Sequence, residues 1–214
     1  MIVSKDLNDS CARPLSKDEW AKVRDYAQRI VLCPEQEKEP CRLLHKSFFS
    51  YLTRLEKKYG RHQVILATKA DFLAQPRRRV QIYREAYQKA RTCNDAKNCM
   101  LIASSMSGLY IFDLDDFKKG RQWLRRFDQW LSVYPDADQK KERDSLVAYV
   151  AAMDKAMQKL EEKGQGKLSL AKKREKRLAL RVELTLNILE RYEHLAEDVM
   201  IPKKAKLKFN LNFA

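Results

Sequence analysis

Asp113, Asp115 and Asp116 form a tight cluster of carboxylates, the residue type that holds Mg²⁺ or Ca²⁺. The spacing lacks the glycine and the distal glutamate of a calcium loop, and a turn that caps a helix draws on the same side chains. The structural role is therefore expected, and no metal site. Cys41 and His45 stand four apart, so on a helix they would share a face as a nucleophile and a base, but no third group is placed to orient the pair. Cys11, Cys33, Cys41, Cys93 and Cys99 contain no C-x-x-C, and His45, His62 and His194 do not pair with them at zinc-like intervals. No glycine-rich dinucleotide fingerprint, Walker loop, G-x-S-x-G or H-E-x-x-H occurs. The chain is expected to be no enzyme: no catalytic residue and no cofactor is assigned.

Anion chemistry is better represented. Arg77, Arg78 and Arg79 precede Tyr83 and Tyr87, a set that could grip phosphates and stack bases, or simply open a helix whose tyrosines are core. Positive charge at a helix start opposes the macrodipole, which suits a solvated face or a ligand. Lys167, Lys172, Lys173, Arg174, Lys176, Arg177 and Arg181 repeat the pattern, with Glu175 alone against them. The i, i+4 pairs Lys172–Lys176 and Lys173–Arg177 repel by roughly a few tenths of a kcal/mol each, which an acidic partner or plain solvation relieves. A basic tail ends in Phe209, Leu211 and Phe213, which could add a strand to a sheet edge, fill a groove, or stay a free terminus.

The totals agree with that emphasis. Lys and Arg number 44 against 29 Asp and Glu, a net +15, which favours an acidic protein, a nucleic acid or an anionic surface. No apolar run approaches the about 18 residues of a membrane span, the first residues carry no signal-peptide core, and the cysteine count is odd. A soluble, cytoplasmic protein with reduced thiols and no membrane partner is the expectation.

Five glycines and six prolines in 214 residues are too few for many strands joined by tight turns, so the fold expected is all-α. Residues 1–14 read as an arm, 15–163 as a helical-hairpin domain, 164–200 as a basic C-terminal helix packed on it, and 201–214 as an extended tail. Ser16 and Glu19 form a capping box for a helix through Trp20, Val23, Tyr26 and Ile30. A second runs from about Cys41 to Gly60, with Leu43, Leu44, Phe48, Tyr51, Leu52 and Leu55 on one face. Further helices are expected over 63–73, 78–93, from Asn94 or Asp95 to Phe112, from Asp115 or Asp116 to Tyr134, and over 139–163 with Leu146, Val147, Val150 and Met153 inward. Trp123, Phe127 and Trp130 make one stripe, read as core. Beyond Gly164 and Gly166, residues 178–199 carry a heptad-like seam that could pack internally or make a homodimer, and 178–188 also alternate as a strand would.

Two successive hairpins share a pattern. Gly108 and Gly120, with Leu124 and Phe127 following, match Ala67, Arg79, Tyr83 and Ala86 at a common offset. This resembles the tetratricopeptide repeat over about residues 60–136, in which small residues let paired helices pack closely. The common offset exceeds the about 34 residues usual for that family. An unrelated antiparallel bundle is the other architecture the pattern allows. The resemblance implies a concave groove built from the first helix of each hairpin, carrying Arg61, Thr68, Asp71, Ser105, Leu109, Phe112 and Asp113. The Lys/Asn set with which some relatives clamp a peptide carboxylate is absent.

Two functions follow as expectations. The first is a non-enzymatic protein-binding scaffold, of adaptor, chaperone or toxin-neutralising type, that holds an acidic protein. The alternative is a subunit that binds nucleic acid without reading sequence, through Arg77–Arg79 and Lys167–Arg181.

Overall fold

The computed structural model describes residues 15–34 and 36–162, together with Glu175 and Ala179. Among these residues the chain is all-helical: α1 (Lys17–Val31), α2 (Lys38–Tyr59), α3 (Gln63–Asp71), α4 (Pro76–Thr92), α5 (Ala96–Gly108) running into a π-helical turn (Leu109–Asp113), α6 (Phe117–Val133) and α7 (Ala137–Glu162). The chain divides into two compact units, residues 1–140 and 141–214. Lys167, Lys172, Lys173, Arg174, Lys176, Arg177, Arg181, the seam at 178–199 and the tail with Phe209, Leu211 and Phe213 lie outside the described residues, as does the N-terminal arm.

Local chemistry sets the helix ends. Ser16 and Glu19 make both hydrogen bonds of the capping box that opens α1, at 3.2 and 3.0 Å. Asp95 caps α5 by accepting from the Asn98 amide, and Asp116 caps α6 by accepting from that of Lys119. Each has a neighbour in the left-handed region, Asn94 at φ 52° and Asp115 at φ 51°, which reverses the chain before the cap. Of the two capping candidates before each of these helices, one caps and the other turns. Pro76 supplies the preset first turn of α4.

Within the first unit the helices pack as consecutive pairs, α1 with α2, α3 with α4 and α5 with α6, and α4 lies on α5. Short connections oblige partners in a pair to run antiparallel. α3 also touches α5, so the first helices of successive hairpins are neighbours. Phe48, Leu52 and Leu55 of α2 form one core cluster with Val23 and Ile65. Tyr83, Met100, Met106, Ile111 and Phe127 are fully buried in the hairpins that follow. In the second unit Leu146, Tyr149, Val150 and Met153 make the buried face of α7.

The inward faces differ from the sequence expectation in places. Trp20, Leu43 and Val147 are exposed at 37%, 49% and 42%. In α2 the buried set Phe48, Tyr51, Leu52 and Leu55 already fills an i, i+3, i+4, i+7 stripe, which leaves Leu43 off its edge. The thiols differ more. Cys33 and Cys41 form a disulfide across the α1–α2 connection, with their Cα atoms 5.9 Å apart, and Cys93 is also disulfide-bonded. The turn between two helices brings the first pair into bonding range, which spacing alone does not register. Cys99 keeps a buried thiol, pushed up to about 11 by desolvation. No helix among the described residues is long and apolar enough to cross a membrane.

Candidate functional site

Three of the seven residues expected to line a groove, Asp71, Ser105 and Asp113, meet in a polar network around Tyr83 and Arg79. Asp71 ends α3 and accepts a hydrogen bond from the phenol of Tyr83 on α4, a side chain only 1% exposed. Ser105 on α5 lies close enough to the same phenol to influence it. Asp113, in the π-helical turn, accepts from Arg79 Nη1 at 2.8 Å, and both side chains are largely covered. Thus α3, α4 and the turn are tied by polar contacts across the hairpin boundary. Leu109 is 2% exposed and belongs to the core, so it offers nothing to a ligand. Thr68 and Phe112 are half-buried. Arg61 is exposed but engaged, with its guanidinium on Glu85 and on Glu56, while Lys69 also reaches Glu56. Arg61, Asp71 and Asp113 are thus already engaged within the stack, and Leu109 is core.

Asp71 as a residue is exposed at the end of α3, but its carboxyl is covered where it meets Tyr83, which makes it an unusual member of that network. Desolvation pushes its carboxyl up from 3.8 to about 6, against the lowering effects of the Tyr83 hydrogen bond and the Arg79 charge. The folded state therefore holds a proton more tightly than the unfolded chain does. The ionised carboxylate weakens the fold at neutral pH, and that burden lifts as pH falls from about 6 to about 4. Asp71→Asn keeps an acceptor for Tyr83 and removes the charge. Its urea midpoint is expected above that of the parent protein at pH 7, with the two converging near pH 4. A variant less stable at pH 7, by a margin that acid does not change, would show instead that the charge is needed by Arg79.

The acidic turn is accounted for residue by residue. Asp113 pairs with Arg79, Asp115 takes the left-handed conformation, and Asp116 caps α6 while holding Lys119 Nζ at 2.6 Å. No group of three or more His, Cys, Asp or Glu side chains able to hold a metal occurs among the described residues. The disulfide takes Cys41 out of any pairing with His45 as a nucleophile. Of the three arginines that open α4, Arg77 and Arg78 are exposed and Arg79 is committed to Asp113. The expected phosphate-binding trio is thereby reduced to two.

A different site lies between α4 and α6. Tyr87, Arg91, Arg126, Gln129, Trp130 and Val133 line a cleft of about 340 Å³. Trp123 meets Tyr87 edge-on, with centroids 5.0 Å apart, and the guanidinium of Arg126 lies 4.4 Å from the Trp123 ring centre and 5.9 Å from that of Tyr87. Trp130 donates its indole N–H to the Tyr87 hydroxyl at 2.8 Å. Cation–π contact fixes Arg126 over apolar rings without neutralising it. Neither Arg91 nor Arg126 forms an ion pair among the described residues. Val133 is 64% exposed and Tyr134 next to it 38%.

Sequence reasoning missed this cleft because Trp123, Phe127 and Trp130 share a stripe that reads as core. Trp123 and Phe127 are core indeed, whereas Trp130 is only partly covered, at the stripe's edge. The available signal was cationic and apolar residues on adjoining faces: Arg126, Trp130 and Val133 step by four and three, and Tyr87 and Arg91 by four. Compared with known proteins, the chain matches no protein-family model, no curated protein and no solved structure.

Proposed function

We propose that this protein is a non-enzymatic helical scaffold that holds an acidic protein partner, its hairpins stacked in the manner of tetratricopeptide repeats. Adaptor, chaperone and toxin-neutralising roles are all forms of that activity. The observation that carries the reading is the cleft between α4 and α6, where two arginines with no carboxylate partner among the described residues flank exposed apolar surface in a chain of net charge +15. Interfaces are enriched in arginine and aromatic side chains because these combine contact area with directional hydrogen bonds. A binder of nucleic acid would want free aromatic faces and a continuous basic track. Here Tyr87 and Trp123 are 8% and 5% exposed and already packed, and Arg79 is engaged by Asp113. The Cys33–Cys41 disulfide favours an oxidising compartment over the cytoplasm expected from the sequence.

The test is capture by the immobilised full chain, after nuclease treatment and at physiological salt, with Arg91→Gln/Arg126→Gln as the comparison. Acidic proteins retained by the parent chain and lost from the variant are the expected result. Retention of proteins with no dependence on the two arginines, or of nucleic acid alone from a parallel sample left untreated by nuclease, would overturn the reading.

A further inference from the structure

The cleft between α4 and α6 has a lining that fits one kind of epitope better than others. At about 340 Å³ it is too small for a whole helix, and large enough for one apolar side chain with the polar groups beside it. We infer that it takes an acidic segment with an aliphatic or aromatic anchor residue, carboxylates going to Arg91 and Arg126 and the anchor to Trp130 and Val133. The inference rests on the scaffold reading and names what the partner must present.

Three observations carry it. Charge comes first: Arg91 and Arg126 are exposed and without ion pairs among the described residues, so their guanidiniums are open to an incoming carboxylate there. Second, Arg126 is held against Trp123, so its planar fork has already lost part of the freedom that binding would remove. A carboxylate matches that fork with two parallel N–H···O bonds. Third, Val133 contributes an aliphatic surface 64% open to water, and Trp130 adds ring surface whose N–H is already satisfied by Tyr87. A polyanion would leave that apolar wall uncovered, and a purely apolar peptide would leave the two guanidiniums unmatched. A nucleic-acid strand finds the Trp123 face occupied by Arg126 and the Tyr87 ring buried.

Fluorescence polarisation on the full chain at physiological salt tests this with four labelled probes. They are a short peptide of Asp and Glu around a central Leu, the same peptide with Ser for Leu, the same peptide with Asn and Gln for the acids, and an oligo-dT strand. The Leu-centred acidic peptide is expected to bind, with affinity falling about tenfold for each of Arg91→Gln and Arg126→Gln, the scale of one charge-assisted hydrogen bond. Val133→Ser should weaken the Leu peptide and leave the Ser peptide unchanged. Arg91 and Val133 lie on the surface, so their variants keep the test sharp even if Arg126→Gln loosens the packing on Trp123. Equal binding of the Leu and Ser peptides, or indifference to Arg91→Gln, overturns the inference while leaving capture of acidic proteins to stand. Tighter binding of oligo-dT than of every peptide overturns both.

Discussion

Gly120→Val is expected to destabilise the first unit by about 3 kcal/mol, the upper part of the range for an overpacked core. A Cβ at Gly120 would lie 2.5 Å from Ile111 Cγ1, 3.3 Å from its Cδ1 and 3.6 Å from its backbone nitrogen. Ile111 cannot yield easily. It is fully buried, and it sits in the π-helical turn, where Leu114 N–H bonds to Leu109 C=O and Asp116 N–H to Tyr110 C=O. Moving it would disturb the turn that also carries Asp113 to Arg79. Gly108 is the control. A Cβ there would meet only Phe112 Cδ2, at an ordinary 3.8 Å, in helical backbone. Gly108→Ala should be neutral or stabilising by about 0.5–1 kcal/mol through helix propensity.

Urea unfolding of the two variants separates the roles. A Gly120→Val midpoint equal to that of the parent chain would remove the close approach from the account. Ile111→Ala should then recover part of the loss in the Gly120→Val background, with a coupling above about 1 kcal/mol, because the clash needs both side chains. The small-residue pair that carried the repeat resemblance thus divides: Gly120 is required by packing, and Gly108 is not.

Helices were legible because their signals are local. The capping box at Ser16, the prolines at 76 and 135 and the paired candidates before α5 and α6 act within one turn of the chain, and the sequence prints them directly. What depends on neighbours was not legible. Leu109 lies on the first-helix stripe assigned to a groove, yet it is buried in the π-helical turn, which packs against α4 and α6. Asp71 and Asp113 are engaged by Tyr83 and Arg79 of the intervening helix, which ties part of the supposed binding surface to the stack. The cleft needed two helices placed side by side before Arg91 and Arg126 could share a wall. Periodicity says which face of a helix is apolar; it does not say where the neighbour's edge falls.

The α1–α2 hairpin shows how a single covalent bond can stand in for missing core. α1 contributes one buried residue, Val23, supported by the half-buried Tyr26 and Ile30. Its far end is held by Glu19, whose carboxylate accepts from Lys58 Nζ at 2.8 Å and from the Tyr59 hydroxyl at 2.5 Å. Cys33–Cys41 closes the near end, at a sequence separation of 8. Closing a loop of that length removes unfolded-chain entropy worth about 2.5 kcal/mol, so Cys33→Ser/Cys41→Ser should lower the unfolding free energy by about that much. The loss should concentrate in α1, whose amides are expected to exchange with solvent faster than those of α3 to α6. Acid sharpens the effect. Hydrogen bonds from Lys58 and Tyr59 lower Glu19 from 4.5 to about 2, so its contribution is full above about 4.5 and fades as pH falls toward 2. Near pH 3 the double variant has lost the bond at one end of α1 and is losing the carboxylate contact at the other. Hydrogen exchange should then report α1 opening separately from the rest of the unit, while the disulfide-bonded chain opens it only with the neighbouring helices. Uniform exchange across α1 to α6 in the variant at pH 3 would mean that Val23, Tyr26 and Ile30 hold the helix unaided.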